Sequence, residues 1–420
     1  MRLAIVLFLL LANSILAAGI LDPDFGSGGK VNFRFSASST DLGRAGAIQA
    51  DGKIVIAGWS GLLGQSNGFR NFAVARLNAN GTVDNTFGNG GWAITDFNNE
   101  EDVANAVVIQ PDGKIVVGGA RRTVQSTAFA FALARYNADG SLDTTFSGGK
   151  VVTDFEGSQN ESVEQLLLQP DGKIIAVGSY VGSPSSQIAM ARYKTDGTLD
   201  PDFGTGGKFT IFLPRQTFFS GAAVQPDGKI IVGGYYVFHY PGCVPTKGMG
   251  CDTDQSFLLR YTPQMKPDRK FGRKSGKEFS GLGAPDNFYG VSLQSDGRIL
   301  VSTQRSPKRY SSNGRLETVF DRAMFASREF LVRRLSQRPD GKVAGCGALV
   351  TNGYDDLAVA LFSSEGRLIG SDQRDFFGGD DVCFSILAQP DGKIIVIGGA
   401  QIAQQSAYSF AAVRYLDITP

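Results

Sequence analysis

The chain has 420 residues, with 41 Lys and Arg against 40 Asp and Glu, a formal net charge of +1. Charged residues make up only 19%, Gly numbers 54, and there is one His. This balance excludes a disordered polyelectrolyte and a typical helical enzyme, and it describes a turn-rich β protein with more residues than one ordinary core holds.

The first residues, MRLAIVLFLLLANSILAAG, combine Arg2, an apolar run from Leu3 to Ala12 and small residues at Ala17 and Ala18. That pattern predicts a secretory signal peptide over 1–18; a membrane span would need about 20 apolar residues. The mature chain, 19–420, is therefore expected to be exported to the periplasm, the cell surface or the extracellular space. No later apolar run is comparable, so no membrane span is expected.

From Gln49 onward the chain repeats itself. QADGKIV, QPDGKIV, QPDGKII, QPDGKII, QSDGRIL, RPDGKVA and QPDGKII place glycines at Gly52, Gly113, Gly172, Gly228, Gly297, Gly341 and Gly392. Asp-Gly between apolar, β-branched runs is a hairpin signal, because Gly accepts the positive φ of a tight turn. A second module follows each hairpin, as in FALARYNADGSLDTTFS from Phe131, where a strand ends in Arg-Tyr, turns, and restarts at Leu-Asp. A GGK segment then opens a further strand.

The sum is four short antiparallel strands per repeat of about 57 residues, which reads as a propeller blade. One blade cannot bury both faces and must stack on neighbours. The last repeat stops at FAAVRYLDITP, and its missing half, LDPDFGSGGKVNF, stands at Leu21. The expectation is an all-β, seven-bladed β-propeller whose N-terminal strand completes the last blade and covers an otherwise exposed edge. The blades fall near 40–99, 100–158, 159–214, 215–283, 284–323, 324–377, and 378–420 with 19–39. The motifs LDxxFGxGGK, QPDGKIVVGG and FALARYNADG resemble the delta-60 repeat family of bacterial secreted and surface propellers. The resemblance spans essentially the whole mature chain and implies the fold without an agreed chemistry.

Each second module sets an Arg eight residues before an acid. The pairs are Arg76 with Asp84, Arg135 with Asp143, Arg192 with Asp200, Arg260 with Asp268 and, across the closure, Arg414 with Asp22; Arg309 precedes Glu317. In the sixth copy an ungapped alignment puts Leu361 and Ile369 at both places, while a gap would bring in Asp372. The joint loss of both charges suggests structural ion pairs, since one buried partner left alone is costly. Turn chemistry accounts for the Asn, Asp and Gly of NANGTVD and NADGSLD, so neither calcium nor another metal or cofactor is expected.

Function is expected where the repeats depart from their pattern. The fourth copy carries YYVFHYPGCVPTKGMGC, with Tyr235, Tyr236, Phe238, His239 and Tyr240 as candidate ligand-binding aromatics and Cys243–Cys251 as an expected local disulfide. Cys346 and Cys383 lie on strands of consecutive repeats and could equally pair or remain buried thiols. From Lys266 to Lys342 there are 17 basic and 8 acidic side chains, a net +9, concentrated in KPDRKFGRKSGK and RSPKRY, with Lys270, Arg273 and Lys274 as candidate ligand-binding residues. Such a sector suits an acidic partner. No catalytic residue can be singled out: the lone His239 lies in a loop, and the repeated Asp residues belong to turns. The expectation is a monomeric binding module for a protein, a glycan or an anionic envelope polymer, with no nucleic acid. An enzyme working at the mouth of the central channel and a structural envelope scaffold are the alternatives.

Overall fold

The computed structural model describes residues 19–62, 70–98, 100–122, 128–155, 158–182, 186–213, 216–239, 252–272, 277–280, 286–321, 330–351, 354–375, 379–401 and 407–418. The chain is all-β and propeller-like. Its strands pair antiparallel in chain order in groups of four, such as Ser39–Ile48, Ile54–Leu62, Arg70–Leu77 and Trp92–Thr95. Among the described residues four sheets have four strands each. One has eight, made of two such groups joined by a single parallel bridge between Asn160 and Phe129. Another has five: Asp381–Ala388, Ile394–Gln401 and Tyr408–Asp417, then Ile20–Leu21 and Lys30–Phe33, both paired to Tyr408–Asp417.

Each group opens on a hairpin whose turn is the DGK motif. At Gly113 the amide donates to the Gln110 carbonyl at 2.9 Å, and the φ of +83° is one that an L-residue adopts only with strain. The two strands after the turn are almost wholly buried, with Ile115, Val116, Val117, Ala132, Leu133 and Ala134 at 0% exposure, because sheets cover both of their faces. Apolar clusters run between successive groups. One unites Phe25, Ile54, Ile56, Ala73 and Ala75 with Ile395, Ile397, Phe410 and Ala412, so the first and last groups share a core.

The Arg–acid spacing is also a link between groups. Arg135 Nε lies 2.7 Å from Asp143 Oδ2, and its Nη1 donates to the Thr195 carbonyl of the next group at 2.5 Å. Arg76 meets Asp84 at 2.7 Å, Arg192 meets Asp200 at 2.8 Å and Arg260 meets Asp268 at 3.0 Å, and their Nη1 atoms reach Ala138, Pro263 and Ser312. Arg414 lies 2.8 Å from Asp22 and donates to the Ala79 carbonyl, tying the last group to the first. Each of these guanidiniums also lies over a Phe ring, as Arg135 over Phe146 at 4.5 Å and Arg414 over Phe25 at 4.5 Å. Arg309 stands 3.6 Å from Glu317, whereas Asp372 is held by Arg374 at 2.7 Å.

Cys346 and Cys383, open in the sequence, are bonded: the disulfide joins the sheet of Phe330–Gln337 to that of Asp381–Ala388, with the Cα atoms 6.1 Å apart. Among the described residues no helix is long and apolar enough to cross a membrane.

Candidate functional site

The first strands of the groups, Ser39–Ile48, Asp102–Ile109, Ser158–Leu168, Thr217–Val224, Phe288–Leu293, Phe330–Gln337 and Asp381–Ala388, share one irregularity. Each carries a β-bulge, and the residue without a partner across the hairpin is Arg44, Asn105, Glu164, Ser220, Tyr289, Arg333 or Phe384. All stand eight residues before the turn glycine. The extra residue drives the inner strand's backbone against the second strand. A Cβ on Gly119 would lie 1.9 Å from the Val103 carbonyl oxygen, and one on Gly178 would lie 1.8 Å from that of Ser162. Every copy but the fifth, which has Thr303, therefore carries Gly at this point. A bulge re-aims side chains locally, and these seven strands converge on one cavity of about 260 Å³.

The cavity wall is chemically uneven. Its charged side chains are Arg44, Glu164 and Arg334; Asn105, Gln165, Ser220, Ser292 and Ser385 are polar, and Phe384 offers an aromatic face. Arg44 Nη1 donates to Asn105 Oδ1 at 2.7 Å, and the Asn105 amide donates to the Ser162 hydroxyl at 2.9 Å. Arg44 Nε is buried with no acceptor, and its guanidinium lies 5.8 Å from the Phe384 ring centre. Arg334 Nη1 donates to the Tyr289 carbonyl at 2.7 Å. The Gln165 amide group both donates to and accepts from the Ala222 backbone at 2.8 Å, and Ser220 donates to the Phe288 carbonyl at 2.6 Å. These bonds fix the wall; Glu164 and Arg334 are exposed within the cavity and Arg44 is half-buried.

Glu164 accepts from the Ser179 hydroxyl. Its carboxyl is exposed within the cavity yet deep in the molecule; desolvation pushes its pKa up to about 7, against the opposing pull of Arg334, the Ser179 hydrogen bond and Arg44. Desolvation lowers the pKa of both Arg44 and Arg334, which remain charged at neutral pH. The cavity thus holds two fixed positive charges and one carboxyl able to change charge near neutrality.

A second set of acids, eleven residues before the turn glycine, is structural. Asp41, Asp102 and Glu161 accept the backbone amides of Phe35, Phe97 and Phe155 at 2.9, 2.6 and 2.8 Å, pinning the entry to each inner strand. Among the described residues no group of three His, Cys, Asp or Glu is placed to hold a metal ion.

The aromatics singled out in the fourth copy lie elsewhere. The Tyr235 ring stacks on Phe218 at 4.8 Å, and Tyr236 donates to Gln255 Oε1 at 2.7 Å, so both are engaged within their own sheet and neither lines the cavity. Phe238 and His239 end the strand Ile230–His239. Their side chains, with Tyr240, Cys243, Cys251, Arg273 and Lys274, lie outside the described residues. Lys270 is exposed. Much of the basic sector is spent internally: Lys308 meets Asp286 at 2.5 Å, Arg338 meets Asp417 at 3.1 Å, and Arg334 enters the cavity. The sequence reading missed Arg44, Asn105, Glu164, Ser220 and Arg334. For all but Arg334, the available signal was the column eight places before the turn glycine, where Arg, Asn, Glu, Ser, Tyr, Arg and Phe succeed one another; Arg334 follows the column's Arg333, which, like Tyr289, does not line the cavity.

Five segments, 49–87, 110–146, 169–203, 225–242 and 389–416, match the model of a β-propeller domain of unknown function, DUF5122. No curated protein matches the chain. Among solved structures it is similar to the polysaccharide lyase Uly1, with 11% identity, 90% of each chain covered and a TM-score of 0.51. It is also similar to Sqt1 of Chaetomium thermophilum, with 11% identity, 94% of this chain and 97% of that one covered and a TM-score of 0.51. A protein of unknown function from Dyadobacter fermentans has 10% identity, with 94% and 99% covered and a TM-score of 0.46. At these identities the likeness concerns fold alone. The matched segments and the two structures with a TM-score of 0.51 support a β-propeller fold.

Proposed function

We propose that this chain is an exported, seven-bladed propeller of the delta-60 type, closed by its N-terminal strand, and that it is a binding module whose ligand enters the central cavity. Closure is supported by the pairing of Leu21 with Tyr415 and by the Arg414 contact with Ala79. The signal-peptide pattern of residues 1–18 and the Cys346–Cys383 disulfide fit an exported chain. The partner is an anionic envelope polymer, a glycan or a protein that presents a small group to the cavity. One observation carries this reading: all seven inner strands line one cavity, and the side chains they bring to it, among them Arg44, Asn105, Glu164, Ser220, Arg334 and Phe384, differ from group to group. A scaffold alone would not need different chemistry there, just as it repeats its turns.

The test is a glycan and envelope-polymer array with the mature chain beside Ser220→Trp, whose indole fills the cavity. The expected result is binding by the natural chain that the filled variant loses. Equal binding by both would place the site elsewhere, with segment 240–251 and Lys270 next to be probed. An enzyme acting on an extracellular polymer is the second reading, favoured by Glu164, whose pKa of about 7 suits proton transfer at neutral pH. It would be established by polymer turnover that Glu164→Gln abolishes while binding survives.

A further inference from the structure

The cavity holds more cationic capacity than its own carboxyl uses. Arg44 spends Nη1 on Asn105 and Arg334 spends Nη1 on the Tyr289 and Arg333 carbonyls, while Arg44 Nε is a buried donor without an acceptor. Glu164 acts on both guanidiniums through space, and its hydrogen bond goes to Ser179 instead. Between these groups lies open volume, and beside Arg44 stands the Phe384 ring. At about 260 Å³ the space falls just below the roughly 300–1,000 Å³ usual for small-molecule sites, so it admits one small group and not a folded peptide. Arginine forks match a planar anion, and an aromatic face suits the apolar side of a sugar ring.

On the reading that the cavity is the ligand site, we propose that it receives one acidic sugar residue of a polysaccharide, with its anionic group taken by Arg44 and Arg334 and with Glu164 as the resident counter-charge that the ligand replaces. The ligand and an ionised Glu164 compete for the same positive field, so capture requires that Glu164 take up a proton. The charged groups in that field are Arg44 of the first group and Arg334 of the sixth, with Arg70 and Arg333 behind them. The other wall residues, Asn105, Ser220, Ser292 and Ser385, do not titrate. Capture therefore strengthens as the pH falls, while the sugar carboxylate, with an ordinary acid pKa, keeps its charge.

The experiment is calorimetric titration of the mature chain with trigalacturonate at pH 5.5, 7 and 8.5 and constant ionic strength. The methyl ester of the same trimer is the neutral arm, and a sulfated galactose trimer separates a sulfate source from a carboxylate one. The expected affinity for trigalacturonate falls roughly tenfold per pH unit above about 7 and levels off below it. Glu164→Gln should bind at pH 8.5 as the natural chain does at pH 5.5. Arg44→Gln and Arg334→Gln should weaken binding at least tenfold, and Arg44→Lys should recover most of the loss. The proposal is overturned by an ester that binds as tightly as the acid, by affinity that ignores both pH and Glu164→Gln, or by no binding of either acidic trimer at any pH. A neutral sugar that binds and is excluded by Ser220→Trp would overturn the anion site alone and leave the cavity as the ligand site.

Discussion

At the scale of single residues, the repeat distributes its acids into two environments with opposite fates. Asp143 faces both Arg135 and Lys114 at 2.7 Å. Burial alone would raise its pKa, but the hydrogen bonds from Lys114 and Thr145 and the charge of Arg135 outweigh this and hold the carboxyl well below the usual range. Asp84, Asp200, Asp268 and Asp22 are lowered in the same way. A depressed folded pKa gives stability that is present above the ordinary carboxylate value and lost as pH falls below it, so thermal scans should show stability dropping below about pH 4. Asp143→Asn should cost about 3 kcal/mol, because it leaves Arg135 buried and uncompensated. Replacing Arg135 and Asp143 together by Leu and Ile, the residues of the ungapped sixth copy, should cost less than the sum of the single changes in denaturant titrations.

Asp102 is the reverse case. Burial lifts its pKa to about 7, and the hydrogen bond from the Phe97 amide only partly offsets this. A raised folded pKa means that its contribution is fully present at low pH and is lost as the pH rises through 7. Asp102→Asn keeps an acceptor for Phe97 and removes the charge. It should raise the melting temperature at pH 8 by a few degrees, with the gain vanishing toward pH 4. An unchanged difference at both pH values would show that the folded pKa of Asp102 is not raised above its unfolded value.

At the scale of elements, the hairpin glycines do two distinct jobs that the repeated string GKIVVGG does not separate. Gly113 needs its positive φ and has open space around it. Gly119 needs the absence of a side chain, because the bulge at Asn105 brings the Val103 carbonyl onto it. Gly113→Ala should therefore cost about 1–2 kcal/mol in backbone strain, and Gly119→Ala about 2–3 kcal/mol through overpacking. Equal costs, read from urea midpoints, would remove the distinction. The hairpins, the four-strand grouping and the Arg–acid spacing were legible because each rests on local turn chemistry or on a period that the chain prints several times. The second role of each Arg was not legible, because its acceptor, such as the Thr195 carbonyl for Arg135, belongs to the following group.

At the scale of the whole molecule, the candidate site exists only after assembly. Arg44, Glu164 and Arg334 are far apart in sequence and unremarkable singly, an Arg or a Glu on a strand beside a turn. Nothing local reveals that the bulge residues Arg44 and Glu164 and the residue after the sixth group's bulge, Arg334, meet in one cavity. The sequence reading instead favoured the fourth-copy insertion, whose length is visible in one dimension, while Tyr235 and Tyr236 are engaged in ordinary sheet contacts. The cross-sheet disulfide was likewise undecidable from spacing, since Cys346 and Cys383 meet only through the packing of two groups. Its loss in a Cys346→Ser/Cys383→Ser variant should cost roughly 2–4 kcal/mol, measured against the oxidised chain.

The central claim, that the chemistry of this chain lies where its inner strands converge, is tested most directly by a crystal of the mature chain soaked with trigalacturonate at pH 5.5. Difference density is expected for one sugar residue in the cavity, with its carboxylate against Arg44 and Arg334. Ligand density on an outer face or at segment 240–251, with the cavity filled by solvent alone, would contradict the cavity as the ligand site.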